Sequence, residues 1–206
     1  MNFTGFDQTD FDVFHIDGLD ERMKALKASI RPKLELLGTH FAEELSLLTS
    51  DEMSFHVAKH ARRTVNPPND TWVAFANNKR GYKQHPHFQI GLWESHLFIW
   101  YAVIYEAPNK TAVGSLLEEN VPYLRKHIPG EFVWSDDHTK PGAYKMKDLS
   151  DDQLLHLFQR LQSIKKSEIL CGFHLPREEA VRLSGSELVE LIYDVFVKLI
   201  PVYKLS

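Results

Sequence analysis

The stretch His87-Phe-Gln-Ile-Gly-Leu-Trp-Glu-Ser-His-Leu-Phe-Ile-Trp-Tyr-Ala-Val103 decides the fold. Apolar residues recur at every second position on both sides of Glu94-Ser95, the period of strands whose side chains alternate between two faces. With Glu94-Ser95 as the turn, the two runs form a hairpin whose opposed residues share a face. One face collects Phe88, Ile90, Leu92, Leu97, Ile99, Tyr101 and Val103, a core face for helices to cover. The other collects His87, Gln89, Gly91, Trp93, His96, Phe98, Trp100 and Ala102, polar and aromatic together. Glu-Ser is not a favoured two-residue hairpin turn. A slip of one residue in the pairing would exchange the faces and break this reading.

Working outward, shorter alternating runs flank the hairpin. Phe55–Ala58 and Trp72–Phe75 lie before it, separated by the turn-rich Asn66-Pro-Pro-Asn-Asp70. Phe132–Trp134 and Ile169–Phe173 lie after it. Beyond these the period lengthens to that of helices. Leu19, Met23, Leu26 and Ile30 carry one stripe, and Leu34, Leu37, Phe41, Leu45 and Leu48 another after a restart at Pro32. Asn109 opens a helix that Pro122 kinks or restarts. Ser150-Asp-Asp-Gln153 has the form of a capping box, and Ser184-Gly-Ser-Glu187 enters a last helix that Pro201 should stop. Helices first, strands in the middle and helices last predict one α+β domain over residues 1–206. Its sheet would be antiparallel, or in part mixed, with about five to six strands flanked by helices.

Composition narrows the function classes. With 43% hydrophobic and 25% charged residues in 206, the chain is neither disordered nor low in core-forming side chains. No apolar run approaches the ~18–20 residues of a membrane span, and the N-terminus has neither a basic segment nor a long apolar one, so no membrane partner and a cytoplasmic location are expected. The single cysteine, Cys171, sits in an alternating apolar run and reads as a small buried hydrophobe. No phosphate-binding glycine loop, dinucleotide fingerprint or zinc-protease motif occurs, so the sequence names neither a reaction nor a cofactor.

Charge is unevenly spread. The net charge of −4 argues against a dedicated nucleic-acid binder. Residues 1–21 nevertheless carry six acids and no Lys or Arg, whereas residues 55–87 carry six bases and one acid, Asp70. Either the two segments neutralise each other or the basic one meets an anionic partner. On the second alternative the 55–100 surface is a binding or regulatory site for a small phosphate- or carboxylate-bearing ligand. Arg62, Arg63, Lys79, Arg80 and Lys83 would supply charge, and Tyr82, His85, His87, Gln89 and Trp100 orientation. Two other readings stay open: a metal-assisted enzyme using His85, His87 and His96, and a structural protein-interaction domain. The oligomeric state is not legible.

The run His56-Val-Ala-Lys-His-Ala-Arg-Arg-Thr-Val-Asn-Pro-Pro-Asn-Asp-Thr-Trp-Val-Ala-Phe75, with Arg80-Gly-Tyr-Lys-Gln-His-Pro-His-Phe-Gln-Ile-Gly-Leu92, Phe3-Thr-Gly-Phe-Asp7 and Trp134-Ser-Asp-Asp-His138, resembles the YktB-like family of small proteins from Gram-positive bacteria. The similarity covers essentially the whole chain. It implies an α+β fold and a bacterial cytosolic setting, and it implies no activity and no catalytic residue.

Overall fold

The computed structural model describes residues 2–206. Seven antiparallel strands form one sheet: β1 (Ser54–Val57), β2 (Asp70–Ala76), β3 (His87–Trp93), β4 (His96–Val103), β5 (Val133–Ser135), β6 (Tyr144–Lys145) and β7 (Ile169–Pro176), in the order β1-β2-β3-β4-β7-β5-β6. The α+β expectation holds, and among the described residues every strand pair is antiparallel. The strand count exceeds the five to six expected, because β6 is two residues long and too short to display a period.

The central hairpin has the expected register. His87 faces Ala102, Ile90 faces Ile99 and Leu92 faces Leu97, with Glu94-Ser95 as the turn. Strand β7 then lies beside β4, with Tyr101 opposite Cys171 and Trp100 opposite Gly172. The first face is fully buried under α3 (Arg31–Thr49), α8 (Gly185–Tyr203) and α6 (Asp151–Ser163). Phe75 and Phe88 meet Phe196 of α8 edge to face, with centroids 6.0 and 5.4 Å apart. Burying each such side chain contributes about 1.5–3 kcal/mol.

Local signals fix the helix ends. Ser150/Gln153 and Ser184/Glu187 both form reciprocal capping boxes, as does Asp7/Asp10 at α1 (Gln8–Asp12). The helix α2 (Leu19–Ala25) runs into α3 without a break, through a π-helical turn over Leu26–Ile30. Pro32, which lacks an N–H, occupies the first turn of α3 just after that widened turn. Pro201, expected to end α8, lies inside its last turn, because the helix continues to Tyr203. The helices α4 (Lys110–Glu119) and α5 (Val121–His127) divide near Pro122, and the short α7 (Arg177–Ala180) follows β7.

The second face is a smaller apolar layer of Trp93, Phe98, Trp100, Ala102, Val133 and Leu170, with Trp72 and Ala143 against it. Two glycines let its rings lie flat on the sheet. Phe98 is opposite Gly91 and Trp100 opposite Gly172, and a Cβ at Gly172 would collide with the Ile99 carbonyl and stand 2.9 Å from the Trp100 ring. The loop 136–143 between β5 and β6 lies over this layer, with Asp137, His138 and Lys140 facing Gln89, Phe98 and Trp100 across a cavity of about 10 Å³. No helix among the described residues is long and apolar enough to cross a membrane.

Candidate functional site

The covering loop leaves one end of the second face open. There the chain leaving β1 (Ala58–Arg63) and the turn Gly81–Gln84 stand either side of Trp72, with Glu106 and His138 closing the far wall. The resulting cleft measures about 700 Å³, within the range of small-molecule sites. Its polar lining is strongly cationic: Lys59, Arg62, Arg63 and Lys83, with one carboxylate, Glu106.

The alternation of β2 that places Val73 and Phe75 in the core turns Trp72 to this side. Its Nε1 donates to the Tyr82 hydroxyl at 2.9 Å. Tyr82 stacks on His56 with centroids 5.5 Å apart and meets His87 edge-on at 5.1 Å. Burial raises the Tyr82 phenol to about 12, so the hydroxyl stays neutral. His60 adopts a left-handed backbone, φ 51°, uncommon for a residue with a Cβ. Its ring meets Trp72 edge-on at 5.5 Å, with Nε2 3.3 Å from the Thr71 hydroxyl. Burial and the nearby charges of Arg63 and Lys83 lower its pKa to about 4.

The cations divide by partner. Lys83 lies 3.8 Å from Glu106. Arg63 Nη1 reaches the Asn66 and Pro67 carbonyls at 3.4 and 3.3 Å, which braces its own loop without neutralising it. Among the described residues Lys59, Arg62 and Arg63 pair with no carboxylate. Three of the six acids of the N-terminal segment lie with other bases: Asp7 and Asp10 with Lys33, and Asp12 with Arg177, which also holds Glu94 at 3.2 Å. Among the described residues no ion pair joins the two segments.

Of the ten side chains singled out from sequence, Arg62, Arg63, Tyr82 and Lys83 line the cleft. Lys79 and Arg80 are exposed outside it, Lys79 beside Glu52 at 3.3 Å. His85 Nε2 bonds the Asn78 amide at 2.9 Å. His87 is fully buried and neutral, its Nδ1 donating to the His85 carbonyl at 2.7 Å and its Nε2 accepting from Gln89 at 2.9 Å. Desolvation lowers its pKa to about 4. Gln89 and Trp100 are sealed under the 136–143 loop. They lie on the expected face, but that face is closed where they sit.

The histidine cluster does not assemble. The hairpin places His87 opposite Ala102, while His96 begins β4 at the other end, roughly 20 Å away at ~3.3 Å per residue. His96 instead packs on half-buried His174 with centroids 3.9 Å apart, and the Nε2 atoms of both are buried and unpartnered among the described residues. Desolvation lowers them to about 4 and about 3.

Three residues at the site carried no sequence signal of spacing. Glu168, 4% exposed and just before β7, accepts both the backbone N–H of His138 at 3.1 Å and its Nδ1 at 2.6 Å. Despite its burial, the bond to Glu168 holds the imidazole above its ordinary pKa. Among the described residues the His138 Nε2 has no hydrogen-bond partner. Asp70, 8% exposed at the start of β2, lines the small cavity with His138 and accepts no side-chain hydrogen bond among the described residues. Desolvation raises it to about 6 against the pull of His138 and Arg63. Asp137, His138 and Glu168 bring donor atoms within 4.8 Å of one another, a spacing a metal accepts. These donors are already committed: Asp137 to Thr139 and Lys140, Glu168 to His138.

Comparison with known proteins agrees with this scale of similarity. Residues 6–203 match a family described as a domain of unknown function, DUF1054, and the chain belongs to that family. A UPF0637 protein of Bacillus velezensis is 58% identical over 201 residues, 98% of this chain and 96% of its own. One from Bacillus licheniformis is 52% identical over 206 residues, 100% and 98% of the two chains. A solved structure of a conserved hypothetical protein from Pyrococcus furiosus aligns over 84% of this chain and 93% of its own, at 15% identity and a TM-score of 0.39, too loose to carry an argument.

Proposed function

We propose that the protein binds a small phosphate-bearing molecule in the cleft beside Trp72. One observation carries this reading: Lys59, Arg62 and Arg63 line a cleft of about 700 Å³ without a carboxylate partner, over a floor of Trp72 and Tyr82. Guanidinium groups fork onto phosphate oxygens, and an aromatic floor accepts the flat or apolar remainder of a ligand. Phosphate is favoured over a single carboxylate because its oxygens can engage several of the four cations together. The left-handed backbone of His60 supports the reading, since such strain persists where the surroundings hold a site in shape.

Isothermal titration with inorganic phosphate, pyrophosphate and nucleoside monophosphates tests it. Arg62→Ala/Arg63→Ala should lose binding by at least tenfold with its fold retained, because both side chains are exposed. Lys79→Ala/Arg80→Ala, outside the cleft, should bind as the parent does. Equal affinity in the parent and the Arg62/Arg63 variant would refute the assignment.

A further inference from the structure

We propose that the cleft is catalytic: it hydrolyses a phosphate monoester, with His138 as the base that takes the proton of the attacking water. This rests on the phosphate-binding reading and adds a reaction to it. Geometry carries the step. His138 stands at the junction of the cationic cleft and the water-sized cavity beneath the 136–143 loop. Glu168 fixes it through two bonds, to its backbone N–H at 3.1 Å and to Nδ1 at 2.6 Å. A buried carboxylate on Nδ1 sets the tautomer that leaves the Nε2 lone pair for chemistry, the arrangement by which imidazole serves as a general base. The loop is itself pinned, with Asp137 N–H on the Ser135 hydroxyl at 3.3 Å and the Asp137 carboxylate capping Thr139.

Asp70 supplies an independent observation. It is more than nine-tenths buried, it has no side-chain partner, and it lines the same cavity as His138. A buried carboxylate whose one donor is its own backbone N–H is costly, and such groups concentrate where a protein does chemistry. The cavity of about 10 Å³ admits roughly one water. Asp70 is therefore placed to hold the nucleophile while His138 deprotonates it.

The step balances without a co-reactant. The water oxygen bonds to phosphorus, and its proton passes to His138 Nε2. The bond from phosphorus to the ester oxygen breaks, and its electron pair leaves with the alcohol. The departing oxygen takes a proton from solvent at the open side of the cleft, and His138 returns its own to solvent. Ester and water become alcohol and phosphate. Lys83, Arg62 and Arg63 line the space where charge on the phosphoryl oxygens would be met.

The test uses the full chain with p-nitrophenyl phosphate and nucleoside monophosphates as substrates and inorganic phosphate as the binding probe. His138→Asn keeps an N–H for Glu168 and removes the base. It should lower kcat by about 10²–10⁴ while phosphate affinity and thermal midpoint stay at parental values. Glu168→Gln tests a positioning role. Groups facing His138 are Glu168, Asp70 and Lys83, with Asp137 and Lys140 on its own loop. Removing the Glu168 charge should move the acid limb of kcat/KM to lower pH, which a purely structural role would not do. Phosphate binding without hydrolysis of any of these esters overturns the catalytic proposal and leaves the binding reading intact. Hydrolysis undiminished in His138→Asn overturns the role of His138. Absence of phosphate binding by the parent removes both readings.

Discussion

Replacing Asp70 by asparagine should make the protein more stable at neutral pH, and the size follows from the burial of that carboxyl. In the folded chain its pKa rises from 3.8 to about 6, chiefly by desolvation. A difference of that size corresponds to about 3 kcal/mol between the two protonation states. The sign is set by which state binds more protons. Between about pH 4 and 6 the folded chain retains a proton that the unfolded chain has lost, so stability falls as pH rises across that window. Above pH 6 the full penalty of a buried carboxylate without an ion-pair partner is present. Asparagine has the same shape and no charge, so the gain at pH 7.5 is up to about 3 kcal/mol, or about 6–12 °C in midpoint for a chain of this length. At pH 4 the two proteins should melt together. The lowered pKa values of His60, His87, His96 and His174 tilt the stability of the parent the opposite way below pH 6.5. They are common to both proteins, so the difference in midpoint isolates Asp70. Thermal denaturation followed by circular dichroism from pH 4 to 8 reads it directly. An asparagine variant no more stable at pH 7.5, or a gain independent of pH, would refute the claim that Asp70 is an unpaired buried charge.

The ligand-binding variants and His138→Asn have their expected outcomes above. Gly172→Ala should destabilise by about 1–3 kcal/mol, because the added carbon meets the Ile99 backbone and the Trp100 ring and neither is a flexible chain end; a midpoint equal to the parent's would show that β4 and β7 shift freely. Arg177→Met should cost about 2 kcal/mol and expose residues 2–16 to limited proteolysis, since Arg177 ties Asp12 of the N-terminal segment to Glu94 of the hairpin turn; unchanged cleavage would mean that Phe11 and Phe14 alone hold the segment.

Sequence resolves some layers of this molecule better than others. The hairpin register was legible because two-residue alternation runs unbroken through both strands, and a slip of one residue would part Phe88 and Ile90 from Ile99 and Tyr101. The capping boxes at Ser150 and Ser184 were legible because they are contained in four residues. Alternation assigns a side chain to a face but says nothing of what covers the face. Alternation puts His87, Gln89 and Trp100 on the right side, yet the loop that buries Gln89 and Trp100 comes roughly 40 residues later. Likewise Lys79 and Arg80 share a basic run with Lys83, but the left-handed Gly81 turns the chain between them and only Lys83 enters the cleft. His138 and Glu168 are separated by 30 residues, and no local pattern joins them. Asp70 did leave a trace, as the only acid among the bases of residues 55–87.

The position of the cleft follows from how the second face is closed. Gly91 and Gly172 let Phe98 and Trp100 lie against the strands, and the 136–143 loop seats on them, so the middle of the sheet is sealed by its own rings. At the β1–β2 end the face stays open: Trp72 stands beside the segment 58–63, with His138 of the loop at the edge of the cleft. Asp7, Asp10 and Asp12 of the acidic N-terminal segment are held elsewhere, by Lys33 and Arg177. Lys59, Arg62 and Arg63 thus line one cleft without a carboxylate partner among the described residues, and like charges repel. A bound anion would relieve that repulsion as well as add its own contacts, so binding should stabilise the folded chain and weaken steeply as salt screens the cations. The same cations that disfavour the empty cleft are what select its occupant.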